Sequence, residues 1–423
     1  MTSELDVIVA GGGLAGLVAA RHLAAGGATV AVFERRDEIG GRVRTVERDG
    51  YQFDRGFQVL FTAYPAVRRE LDLEALDLRT FSPGACIARP GHRSTLSDPL
   101  REPTALPATL FNPDLTIGDK LRVLRLRRRL TASDPSSIFD GPDTSIETYL
   151  REQGFSKQFR ENFVAPFYGG ITLDRSLSTS KRVFEYTFRA LATGEVGVPA
   201  EGMAAIPRQL SRRAREAGAT IETDATVTSV SANGQTATVT VAGEKRTADA
   251  VVVATDPPTA AELTGLESVP TEARACVTQY YALSEGTDLG TDGRLLLNAG
   301  EAGPNQIVPH SEVAPEYAPE DATLVSATFL GDRAESDREL AELTAEALAS
   351  WYPERLFDRI ELVHTERVPF AQFAQPPGVH DDLPDVRDPA GPVYLAGDYT
   401  RWSSIQGAIE SGRLAARAVL EDR

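Results

Sequence analysis

LDVIVAGGGLAGLVAARHLAAGGATVAVFERRDEIGGRVRT, residues 5–45, decides the fold of this 423-residue chain. LDVIVA at 5–10 is a short β-rich apolar run, read as a buried parallel strand. LVAARHLAAGG follows the glycines as an alanine- and leucine-rich helix ended by Gly26 and Gly27. TVAVF at 29–33 is a second buried strand, and Glu34 closes it. The unit is βαβ with the fingerprint Gly11-x-Gly13-x-x-Gly16. Gly11 permits the tight turn, Gly13 lets a diphosphate approach the backbone, and Gly16 lets helix and strand pack closely. The helix N-terminus offers free N–H groups and a positive dipole to an anion. Glu34 lies 34 − 11 = 23 residues past the first glycine, where a carboxylate can accept both ribose hydroxyls.

Outside this unit the rhythm changes. Residues 80–195 carry many prolines and helical patches such as SIETYLREQGFSKQFRENFV, with no further parallel-strand pattern. A helix resumes at 203–217, and ATVTSVSANGQTATVTVAGEKRTADAVVVAT then alternates with period two around an Asn233-Gly234 turn, an antiparallel meander. Its last residues, VVVAT, read as a buried strand returning to the main sheet. The chain closes with VYLAGDYT, a loop and a long terminal helix. The expected fold is α/β: a Rossmann-type, GR2-like dinucleotide domain from 1–60, 196–265 and 376–423, with an inserted α+β substrate domain from 61–195 and 266–375.

A nicotinamide dinucleotide would need only one glycine loop, yet the glycine pair of IGGRVRT begins six residues after Glu34. FAD explains the second loop, because its flavin end must be held far from its adenosine. Gly40 and Gly41 allow close backbone approach, and Arg42 supplies charge to the diphosphate and ribityl side.

These motifs resemble the superfamily of flavin-containing amine oxidases, phytoene desaturases and protoporphyrinogen oxidases, over nearly the whole chain. GGGLAGL with Glu34 and IGGRVRT is similar to its N-terminal signature, DRGFQVL at 54–60 to its flavin-side segment, and VPAEGMAAIPRQL at 198–210 to its return into the FAD domain. The resemblance implies FAD held by Gly11, Gly13, Leu14, Ala15, Gly16, Glu34, Arg35, Arg36, Gly40, Gly41, Arg42 and Gly56. It also implies Val227 against the adenine, Gly397 and Asp398 at the ribityl chain, and Ile405 and Gln406 at the flavin pyrimidine. A helix starting near Ser404 would aim its dipole at flavin N1 and O2, where negative charge collects on reduction.

There is no second GxGxxG, hence no separate domain for NAD(P)H. The resemblance implies direct oxidation of a small-molecule substrate, with oxygen or a quinone as electron acceptor. Two departures speak against amine oxidation: Ser404 stands where the family's cage tyrosine would be, and residues 277–300 hold no lysine. The expected substrate is therefore apolar, isoprenoid/carotenoid- or porphyrinogen-like, with amine oxidation as the alternative. A third reading, a non-enzymatic escort on the same fold, is opposed by the intact fingerprint, Glu34, Arg42 and Asp398. Flavin-facing candidates are Tyr168, Phe373, Tyr399 and Trp402, with Phe167 beside them; plain core is the competing reading for each.

Composition sets outer limits. Net charge is −17, which disfavours nucleic acid as a partner, and only four of the 44 basic residues are lysine. Arginine-rich acidity fits a salt-accumulating halophile, and it also fits a GC-rich genome. Two cysteines and five scattered histidines give no disulfide framework and no metal site. With no long apolar run and no signal-like N-terminus, a cytoplasmic location is expected. DKLRVLRLRRRL at 119–130 carries six basic residues. It reads either as a peripheral dock for an anionic membrane or, from its two apolar stripes, as a helix packed by protein on both sides.

Overall fold

The computed structural model describes residues 5–98, 101–102, 112, 114–300, 302–357 and 359–423. Strands and helices are numbered in chain order. The glycine-rich unit nucleates the first sheet, in which β1 (Leu5–Ala10) lies parallel between β2 (Val30–Phe33) and β13 (Glu244–Val253). β10 (Thr220–Glu222) adds a parallel edge to β2, and β19 (Val393–Leu395) lies parallel to the second half of β13. The first half of β13 pairs antiparallel with β12 (Thr236–Val241), which pairs with β11 (Val227–Asn233). Asn233 opposite Thr236 closes the expected hairpin, with Gly234 at a φ of 62°.

Both faces of this sheet are covered, which explains the apolar strands. On one face α1 (Leu14–Ala25), α5 (Ala205–Glu216) and the terminal α7 (Ile405–Asp422) pack through Ala15, Ala19, Leu23, Ala214, Ala415 and Val419 onto Val7 and Val9. On the other, Ile8 and Val251 meet Val227, Val239 and Phe373. Each fully buried aliphatic side chain contributes about 1.5–3 kcal/mol. The contacts are close enough to require glycine. A Cβ on Gly16 would stand 2.0 Å from the Gly11 carbonyl oxygen, and one on Gly412 2.2 Å from that of Ala15.

A second sheet, which no sequence period had outlined, runs β18 (Ile360–Phe373), β14 (Ala273–Ser284), β17 (Ala322–Leu330), β16 (Gln306–Val308), β15 (Leu295–Asn298), β7 (Ala85–Arg89), β8 (His92–Leu96). All its pairs are antiparallel except β7 with β15, so one strand of the stretch 80–195 does take a parallel partner, from outside that stretch. Strand alternation gives it two different faces. Val277, Tyr281, Val325, Ala327 and Phe329 pack under α6 (Asp337–Trp351), whereas Cys276, Thr328, Leu297 and Gln306 face a cavity between the sheets. The hairpin β3 (Thr45–Arg48) and β4 (Tyr51–Asp54), and the small sheet of β5 (Leu60–Phe61), β9 (Val196–Pro199) and β6 (Leu78–Thr80), join the two layers.

The basic segment lies in α2 (Ile117–Ala132), started by a capping box between Thr116 and Asp119. Packing on both sides is corrected here. Leu126 and Leu130 are buried, but Ile117, Leu121 and Leu124 are 75, 63 and 45% exposed. Only one of the two apolar stripes meets protein among the described residues. No helix among them is long and apolar enough to cross a membrane.

Candidate active site

The two glycine loops are bonded to each other. Gly40 donates its N–H to the Gly12 carbonyl at 2.9 Å, and Gly13 and Gly40 form an isolated parallel bridge. Gly11 and Gly40 adopt φ of 110° and 114°, open to glycine alone at low cost. Glu34, only 5% exposed, is held by two backbone donors: Gly12 N–H at 2.7 Å to Oε2 and Arg36 N–H at 3.1 Å to Oε1. Each carboxylate oxygen keeps lone pairs for further donors. A Cβ on Gly13 would meet nothing within 4 Å, so the groove is open there.

From this groove extends one cavity of about 940 Å³. Its walls take in Glu34, Val227 and Thr255 at one part, Arg42, Gly56, Gly397 and Asp398 at another, and Phe159, Phe163, Phe167 and Leu297 elsewhere. Phe155, just before the helix, starts a ladder that Phe159, Phe163 and Phe167 continue along a helical stretch of Lys157–Phe159, a π-helical turn Arg160–Val164, and α3 (Ala165–Thr172). Their ring centroids stand 5.2, 5.5 and 5.3 Å apart at interplanar angles of 26°, 24° and 22°. Spacing by four residues puts each ring over the next on one helix face. Val123 and Leu124 of α2 line the cavity too, and Leu124 is exposed, so the chamber reaches the surface beside that helix.

One wall of the cavity carries an ion pair with a buried carboxylate. Arg42 Nη2 donates to Asp398 Oδ1 at 2.6 Å and Nη1 to the Ala371 carbonyl at 3.2 Å, while Ser403 Oγ donates to Asp398 Oδ2 at 2.9 Å. Asp398 follows Gly397 at the end of β19, and Ser404 caps α7 by accepting from Gly407 N–H. Ser404, Ile405 and Ala408 line the cavity, so the positive end of α7 borders it. Burial pushes the Cys276 thiol up to about 12, making it a neutral wall beside Gly56 rather than a nucleophile.

Most of the sequence candidates converge. Gly11, Gly13, Leu14, Ala15, Glu34, Arg35, Arg36, Gly40, Gly41, Arg42, Gly56, Val227, Gly397, Asp398 and Ile405 all line the cavity, with Phe167, Tyr168 and Trp402. Gly16 lies within α1 instead, on the face packed closely against Gly11 and Ala254. Gln406 points away, its Oε1 accepting the Ala66 N–H at 2.9 Å. Tyr399 and Phe373 are corrected as flavin-facing candidates: both belong to the core under the first sheet. The 3-10 turn Asp398–Thr400 swings Tyr399 inward, where its hydroxyl donates to the Val253 carbonyl at 3.1 Å. Sequence reasoning missed Gln58, Thr255 and Ser403 as site residues, although Gln58 stands in DRGFQVL, Thr255 ends VVVAT and Ser403 is five residues past Asp398. Buried Thr255 Oγ1 and Gln58 Oε1 have no hydrogen-bond partner among the described residues, which fits a polar ligand bound in the groove. No cluster of potential metal ligands occurs among the described residues.

Two glycine loops bonded to each other, a buried carboxylate beside them and a remote arginine–aspartate pair define a dinucleotide-binding oxidoreductase architecture. The model of the flavin-containing amine oxidoreductases matches residues 14–420, and the chain belongs to that family of FAD-dependent oxidoreductases. It is 24% identical to a 15-cis-phytoene desaturase of an Oncidium hybrid, over 99% of this chain and 78% of the relative. A carotenoid 3,4-desaturase of Haloarcula japonica is 27% identical over 59% of this chain and 56% of its own length. Among solved structures, a putative protoporphyrinogen oxidase of Exiguobacterium superposes with a TM-score of 0.75 at 18% identity, covering 100% of both chains. A putrescine oxidase superposes at 0.71 and 20% identity, covering 99% of each.

Proposed function

We propose that this FAD-dependent oxidoreductase dehydrogenates an extended apolar donor, isoprenoid/carotenoid- or porphyrinogen-like, with oxygen or a quinone as final acceptor. The observation that carries this reading is the single cavity joining the dinucleotide groove to the phenylalanine ladder. Bound FAD supplies a hydride acceptor at flavin N5. Glu34, Arg42 and Asp398 would hold the cofactor, and the apolar chamber would exclude water and orient a donor C–H toward it. Burial at about 25 cal/mol per Å² supplies the donor's affinity without any charged contact. The dinucleotide domain is assigned to 1–60, 196–265 and 376–423, which supply every strand of the first sheet, and the substrate domain to 61–195 and 266–375.

Amine oxidation is the second reading, and the fold of the putrescine oxidase favours it. Against it, Tyr64 and Trp402 meet at 87°, edge to face, rather than as two plates enclosing an amine. The sole lysine lining the cavity among the described residues is Lys120, on α2. The test is anaerobic mixing of purified holoprotein with a carotenoid precursor, a porphyrinogen, and common mono- and polyamines. Bleaching of the flavin bands by an apolar donor and not by amines is expected. Rapid bleaching by a common amine reverses the two readings, and a colourless protein that cannot be reconstituted with FAD removes both.

The mouth beside α2 supports a peripheral membrane contact. Leu124 lines the cavity there, Ile117 and Leu121 are exposed on the same helix, and Arg125 and Arg128 have no ion-pair partner among the described residues. An apolar stripe with flanking arginines matches the anionic interface of a bilayer, where a lipid-soluble donor would enter. Flotation with vesicles containing phosphatidylglycerol, lost in Leu121→Glu, is the expected result. Equal flotation of both proteins, or of neither, discards the contact.

A further inference from the structure

The end of β18 and the residues after it tie together four separated pieces of chain. Ala371 accepts from Arg42, and Gln372 Nε2 donates to the Ile171 carbonyl of α3 at 2.7 Å. The Gln375 carbonyl accepts the Ser180 N–H at 2.8 Å, and its side-chain Oε1 accepts the Ser403 N–H at 2.9 Å. Ser180 caps α4 (Lys181–Thr193), on which Val183, Thr187 and Phe188 line the cavity. Ser403 in turn donates through Oγ to Asp398.

We infer that Gln375, outside the cavity wall, is a positioning residue for the cofactor site: it holds the Ser403–Asp398 loop against the N-terminus of α4. The inference rests on the reading that Asp398 meets FAD. Gln375 and Ser403 are 3% and 6% exposed, so solvent cannot replace this bond. A backbone N–H can only donate, which fixes Oε1 toward Ser403. The His380 ring nitrogen 3.2 Å from the same oxygen must then carry a proton, so Nε2–H is the tautomer. One amide oxygen thus accepts from both a cofactor-side loop and the segment that follows β18. Asp143 steadies the arrangement from the far side, accepting from Ser180 Oγ at 2.8 Å and from Gly378 N–H at 2.9 Å. Without the Gln375 acceptor, the Ser403 N–H is left buried and unpaired, and the loop must shift to find water.

The test uses the holoprotein, with FAD affinity read by reconstitution and flavin geometry by the visible spectrum and midpoint potential. Gln375→Leu is expected to weaken FAD binding about tenfold and to change the visible bands. Gln375→Glu keeps an acceptor for both donors. It should stay within about threefold of wild type, with a more negative flavin potential because the new carboxylate adds charge near the site. Wild-type affinity and spectrum in Gln375→Leu overturn the inference, as does a Gln375→Glu variant as weak as Gln375→Leu. If Gln375→Leu does not fold, Gln375→Ala removes the same Oε1 acceptor without an apolar side chain to accommodate, and undiminished FAD affinity there overturns it equally. A wild-type protein unable to bind FAD fails at the earlier reading and takes this inference with it.

Discussion

Arg42 Nη2 and Asp398 Oδ1 stand 2.6 Å apart although 356 positions separate them in the chain. The first and last motifs meet at one wall of the cavity, and the carboxylate is buried while the guanidinium is partly open to solvent. Asp398→Asn keeps the shape and removes the charge. It should weaken FAD binding by one charge-assisted hydrogen bond, about 1.5–3 kcal/mol. Fluorescence titration of the apoprotein with FAD measures it, and unchanged affinity would make the pair a purely structural link.

Glu34 receives two backbone N–H groups before any ligand arrives. Glu34→Gln must turn its NH₂ toward one of those donors, so the conservative change costs nearly as much as Glu34→Ala. Both variants should bind FAD more weakly by about 1.5–3 kcal/mol. Retention of FAD through dialysis at wild-type levels in either variant refutes the ribose role.

The phenylalanine ladder separates substrate affinity from cofactor affinity. Phe163→Ala removes a rung that touches the cavity but neither glycine loop. KM for an extended apolar donor should rise roughly ten- to a hundredfold, matching about 1.5–3 kcal/mol of lost burial, with the flavin spectrum intact. A variant that loses FAD instead would show that the ladder supports the groove.

His310 is buried, bonded to Ser326 Oγ at 2.8 Å and stacked on Tyr317, and burial pushes its pKa down to about 3. In the unfolded chain it takes up a proton near pH 6.5. Its contribution to stability is therefore complete above about pH 6.5 and is lost as pH falls toward 3, at up to about 1.4 kcal/mol per pH unit. Asp54 works the other way, since burial raises its carboxyl to about 6 and favours the folded state as pH falls through that range. Denaturation midpoints between pH 4 and 6.5 should fall less steeply with acid in His310→Asn than in wild type. Parallel profiles for the two proteins would show that His310 is already protonated in the fold.

The βαβ unit, its three glycines, Glu34 and the hairpin at Asn233-Gly234 were legible because each depends on neighbours within one or two elements. Strand burial on both faces, a helix between, and a turn needing positive φ all leave their mark in local spacing. The second glycine loop was legible for the same reason, although the bond from Gly40 to Gly12 that explains its place was not. Which aromatics face the cavity was decided by tertiary structure alone. Trp402 and Tyr399 lie three residues apart, yet one lines the chamber and the other fills the core, because the turn after Gly397 reverses direction under β13. The exposed stripe of α2 likewise depends on which neighbours arrive, and a helical wheel carries no information about them. The sequence by itself determined a dinucleotide cradle, through short-range backbone geometry. Only the packing of distant segments decided that the cradle opens into an aromatic chamber, because that wall is assembled from both sheets and from helices far apart in the chain, whose meeting no local spacing encodes.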